Sequence, residues 1–165
     1  MESVGRLVEV EDAAWPLVIV QIPPVLDEPA IESMYAGFDR LTSRKAKFSA
    51  LIDTSALTKF PNALERKLIA DGRISRTLTE AAYNLGNAVL MTSAPARVVL
   101  RLIEWVRPPV VPQRLVASRA EGIEWCCRRL AKARIPLPPQ IDVLRARESE
   151  RASLARQSRA PLPPR

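Results

Sequence analysis

Histidine is absent from the 165 residues, which removes the commonest general base and the commonest metal ligand. Cysteine occurs only as the neighbours Cys126 and Cys127, so a zinc finger and a disulfide scaffold are both excluded. No metal and no cofactor is expected. Glycine is scarce, with 5 residues against 15 prolines, and glycine-rich phosphate loops are nearly excluded with it. Long apolar runs are missing as well. Val98-Val99-Leu100 is followed at once by Arg101 and then Glu104, and nothing approaches the roughly 20 apolar residues of a membrane span. Met1–Arg6 lacks a basic head followed by an apolar stretch, so no secretory signal is read. Two free cysteines without an export signal fit a reducing cytoplasm.

What is present suits a globular chain: 47% of residues are hydrophobic and 26% are charged, inside the ordinary range for a packed domain. The net charge is +7, unevenly placed: residues 1–55 carry 5 basic and 9 acidic side chains, residues 95–134 carry 9 and 3. A polarity of this kind suits a nucleic acid, an anionic surface or an acidic protein. A solvated face rich in arginine gives the same count, and no block of five or six like charges is present.

Residues 4–10 and 15–22 read as two strands joined by a hairpin loop at Glu11-Asp12-Ala13-Ala14. Leu17-Val18-Ile19-Val20 has no polar face, which predicts a strand covered on both sides, and Pro23-Pro24 ends it. Ile31, Met34, Tyr35, Phe38 and Leu41 follow helical spacing over 28–43. Phe48–Asp53 is a second buried strand. Asn62 and Glu65 can form a capping box for a helix reaching Tyr83, with a bend at Gly72 and an exit at Gly86. Ala88–Met91 is a third buried strand. Pro95 starts a helix to about Arg107, capped by Ser93 or Ala94. Arg114–Ala117 is the last strand, and Ser118 with Glu121 is a capping-box pair for a helix to about Lys132.

The alternation of strands and helices predicts an α/β fold with a mostly parallel sheet of four to five strands, an N-terminal hairpin and about four helices. Residues 1–134 form this domain. Residues 135–165 read as an arm: a stiff Ile135-Pro136-Leu137-Pro138-Pro139 linker, a short Arg-rich helix over 141–157, then a disordered tail ending Pro161-Leu162-Pro163-Pro164-Arg165. The arm is expected to be dispensable for folding.

The order β-β-α-β-α-β-α-β-α over residues 4–133 resembles the STAS domain of bacterial anti-sigma-factor antagonists. Ala50-Leu51-Ile52-Asp53-Thr54-Ser55 looks like that family's central strand and the loop after it. Ser93–Val98, Val110–Ser118 and Glu121–Trp125 look like a divergent bacterial STAS-like group. The resemblance implies a regulatory scaffold that binds proteins. The antagonists carry a phosphorylated Asp-Ser-Ser-Gly stretch before the second helix, where this chain has Lys59-Phe60-Pro61-Asn62-Ala63. Its nearest hydroxyls, Thr54, Ser55 and Thr58, lie earlier, so the scaffold carries over without the phospho-acceptor.

No nucleophile has a histidine to activate it, and no catalytic residue is assigned. Cys127 shares a helix face with Ile123 and Leu130 and reads as core. Glu65 and Glu80 read as solvated helix positions. Asp53, at the end of a central strand, could line a ligand loop with Thr54, Ser55 and Thr58, or simply shape that loop by hydrogen bonding to its backbone. The helix from Pro95 is apolar round most of its surface, with Val99, Leu102, Ile103 and Val106 as its core face. Val98, Arg101, Leu102, Trp105 and Arg107 are its candidate partner-binding residues. Three functions compete: a non-enzymatic module that binds a protein partner or a second copy, a basic nucleic-acid-associated protein, and a small-ligand domain around Asp53.

Overall fold

The computed structural model describes residues 7–106 and 108–158. The side chains of Val99, Leu102, Ile103, Trp105 and Val106 lie outside that description, as do Arg107, residues 4–6 of the expected first strand and the Pro161–Arg165 tail. The elements in chain order are β1 (Glu9–Glu11), β2 (Leu17–Gln21), α1 (Glu28–Thr42), β3 (Phe48–Asp53), α2 (Ala63–Ser75), α3 (Thr77–Tyr83), β4 (Asn84–Leu90), α4 (Ala94–Val106), β5 (Gln113–Val116), α5 (Arg119–Lys132) and α6 (Gln140–Gln157). The chain is therefore α/β, with five strands and six helices among the described residues. No helix among them is long and apolar enough to cross a membrane.

The sheet runs β1-β2-β3-β4-β5, in sequence order throughout. β1 pairs antiparallel with β2, Glu9 opposite Gln21, and every later pair is parallel. Each parallel step moves the same way across the sheet. Crossovers of one hand then put every connecting helix on the same face. The two cores reflect this. Val18, Val20, Phe48 and Ala50 pack under α1 and α2 on one face, where Val89 and Met91 also meet Ala96 and Leu100 of α4. Leu17, Ile19, Leu51, Ala88 and Leu90 face the other way, onto Ile123, Cys126 and Leu130 of α5. The unbroken apolar run of β2 is thus buried on both sides, each large side chain contributing about 1.5–3 kcal/mol by leaving water.

The caps are local. Asp27 accepts from the Ala30 amide at 3.1 Å, and Asn62 and Glu65 form a reciprocal box at 3.0 and 2.6 Å. Ser93 accepts from Ala96 N at 3.2 Å. Ser118 accepts from Glu121 N at 3.1 Å, but Glu121 returns to Ala117 N rather than closing on the cap residue.

Three expectations are corrected. The long second helix is two, broken at Arg76 rather than bent at Gly72. Gly72 is a close-approach residue: a Cβ there would lie 2.2 Å from the Tyr35 ring. Gly86 lies inside β4, at φ 144°, where the β3–β4 register shifts between Phe48 and Ala50. There a Cβ would meet Trp125 and the Pro112 carbonyl. Lastly, α6 is not free of the domain. Ile141 is 1% exposed in the core beside α5, and Leu144 packs against the same cluster.

Candidate functional site

The β3–α2 loop brings Asp53, Thr54, Ser55 and Thr58 together, and their polar atoms meet protein partners. Asp53 Oδ1 accepts from Ser55 N at 2.9 Å and Ser55 Oγ at 2.6 Å, while Oδ2 accepts from Arg119 Nη1 at 2.9 Å. Thr54 Oγ1 donates to the Leu90 carbonyl at 2.6 Å, and Thr58 Oγ1 to the Pro24 carbonyl at 3.1 Å. Arg119 Nε, buried and without a hydrogen bond, faces Glu148 Oε1 at 3.3 Å. Glu148 also pairs with Arg151 at 3.0 Å. This cluster ties β3, α5 and α6 together. A sheet whose order never reverses also lacks the crevice that a switch in strand order opens.

The helix singled out by its composition, α4, turns Ala96 and Leu100 onto β4. Residue 98 lies about 200° round from residue 96, and Val98 is accordingly 58% exposed. Position 101 follows 98 at i+3 on that outer side. Arg101 is exposed there, and the side chains of Leu102 and Trp105 lie outside the described ones. Beyond the helix, Val110 and Leu115 are 36% and 37% exposed, with Arg114 exposed between them.

Between the sheet and the helices of the crowded face lies a cleft of about 130 Å³ that the sequence reading missed. Ile52, Val89 and Leu100 form much of its wall, and Arg73, Glu80 and Asn87 bring polar groups to it. Glu80 is a correction: read as solvated, it is 9% exposed. Burial raises its pKa, with Arg73 and then Arg76 pulling the other way. Beside it the Tyr35 hydroxyl donates to the Ile69 carbonyl, and burial pushes its pKa up to about 12. Arg76 stacks on the Tyr35 ring at 4.5 Å and holds both oxygens of Asp39 at 2.7 Å. Helical spacing does not reveal the burial of Glu80, because the break at Arg76 separates Ile69 on α2 from Glu80 on α3.

Cys126 and Cys127 are both buried, and burial pushes the Cys126 thiol up to about 11 and raises that of Cys127. Neither is activated as a nucleophile. Many C-terminal arginines have internal partners. Arg129 donates to the Leu85 carbonyl and lies over Trp125, and Arg145 bridges Glu124 and Asp142. No family model, no curated protein and no solved structure matches the chain.

Proposed function

We propose that this chain is a STAS-like, non-catalytic binding module that engages a protein partner, or a second copy, through the outer stripe of α4. The single observation that carries the reading is Val98, more than half exposed on the side opposite Ala96 and Leu100. Val98 would supply apolar surface for a partner to cover. Arg101 is exposed on the same side and is a residue type that dominates binding energy at protein interfaces. The sequential sheet with a leading antiparallel strand is consistent with the scaffold that the sequence order resembles. The test is the double variant Val98→Asp with Arg101→Glu. It leaves the buried side of α4 intact, so it should abolish capture of the partner or second copy while the unfolding midpoint stays put.

A further inference from the structure

Helix α6 meets the domain along one side. Ile141 and Glu148 are buried there, and Leu144 packs beside α5. At about 100° per residue, these three positions lie roughly 100–160° round the helix from Val143. Arg147, Glu150 and Leu154 instead fall within about 40° of Val143. The four make a straight stripe that faces away from the domain. Val143 and Leu154 are 61% and 63% exposed at its ends, and Arg147 and Glu150 are exposed between them. Among the described residues neither of these two charges has an ionic partner, whereas Arg145 and Arg151 on the same helix do. Beside Val143 opens a groove of about 170 Å³, lined in part by Ala14, Leu17, Ile19 and Leu144.

We propose that a second copy of this chain covers the stripe, with the two α6 helices lying antiparallel. The stripe is self-complementary in that arrangement. Two-fold symmetry makes every contact occur twice, and an axis between Glu148 and Ser149 sets Val143 against Leu154 of the second copy and Arg147 against its Glu150. One register thus satisfies the apolar ends and both charges together. A slip of one turn either way sets Arg147 against Leu154 or Val143 against Glu150. A parallel pair would face Arg147 with Arg147 and Glu150 with Glu150, which repel. The groove beside Val143 gives the incoming Leu154 apolar walls to pack on. The exposed ion pairs fix register more than they add affinity. Residues 143–154 span about 18 Å of helix, a short contact that suits a reversible dimer. α6 packs on the α5 face of the sheet and α4 on the other, so this pairing does not depend on the α4 reading.

Sedimentation equilibrium of the full chain, carried to about 1 mM, registers association as weak as millimolar. Expected is a reversible monomer–dimer equilibrium in the wild type. Arg147→Glu and Glu150→Arg each bring like charges together twice in the dimer, so each alone should weaken it about tenfold or more. Mixed in equal amounts, the two variants restore both attractions, and the mixture should dimerise as the wild type does. Leu154→Asp should lose the dimer in every mixture. All three positions are exposed, so the unfolding midpoints should stay near that of the wild type. A monomeric wild type, single variants that associate as the wild type does, or a mixture no better than its components would each overturn the proposal. Loss of the dimer in Val98→Asp with Arg101→Glu, but not in the α6 variants, would assign it to α4 and overturn the proposal as well.

Discussion

Glu80 holds a carboxyl in the wall of an apolar cleft, and the ionised form is the one that burial disfavours. Its folded pKa is raised above the unfolded value, so the folded state holds the proton more tightly. The stabilisation this gives is fully present below the unfolded pKa and is lost as pH rises through the folded pKa. Replacing Glu80 by Gln removes the carboxyl whose ionised form burial disfavours. Urea unfolding of Glu80→Gln should therefore give a higher midpoint than wild type at pH 7, with the gap closing as pH falls below the carboxylate range. A gap that widens in acid would contradict the assignment. Arg119 is the opposite case. It stands between Asp53 and Glu148, two buried carboxylates with side chains 7% and 8% exposed. Arg119→Met leaves both without their shared cation, and breaking a buried pair in this way costs about 3–5 kcal/mol. Because Arg119 retains some exposure, the lower end is expected. Lys67→Met, at an exposed helical pair with Asp71, should change stability by less than about 0.5 kcal/mol. Equal effects in the two variants would mean that the Asp53 cluster does not hold the fold.

At the scale of elements, β2, β3 and the caps were legible because their determinants are local, whereas the first strand is Glu9–Glu11, leaving out residues 7 and 8 and taking in Glu11 from the expected loop. Phe48–Asp53 matches β3 residue for residue, and the Asn62–Glu65 box forms as its spacing predicts. What was not legible depends on partners distant in sequence. The break at Arg76 coincides with a bidentate pairing to Asp39 on α1, which no spacing within α2 reveals. Gly86 was placed outside the strand because glycine reads as punctuation, whereas here it answers a close approach by Trp125. The loop around Asp53 was found, and the choice between ligand loop and structural loop turned on Arg119, 66 residues away. α6 shows the same limit. Its mean pattern is weakly amphipathic, yet one residue, Ile141, enters the core and Glu148 reaches the Arg119 cluster. Truncation after Arg134 should therefore lower the unfolding midpoint, in contrast to a free arm. Ile141→Ala alone should cost about 2–4 kcal/mol, as for other buried aliphatic truncations. A truncated chain that melts with the full one would show that α6 adds nothing to the domain.

At the scale of the whole molecule, a sheet in sequence order places α1 to α4 on one face and α5 on the other. Of the basic residues between 95 and 134, Arg119 is taken into the Asp53 cluster and Arg129 onto Trp125 and the Leu85 carbonyl, while Arg97, Arg101, Arg114, Arg128, Lys132 and Arg134 are exposed. Val98 on α4 is one of several exposed apolar side chains, with Leu64, Leu78, Val143 and Leu154, and the proposed function rests on it. The most direct test is quantitative capture from the native cell, with the full chain and its Val98→Asp, Arg101→Glu double variant as parallel baits and an untagged second copy included. The account predicts at least one protein, the second copy among the candidates, held by the wild type and reduced about tenfold or more on the variant, a loss of at least 1.4 kcal/mol of binding. Identical sets of captured proteins on two equally stable baits would contradict it.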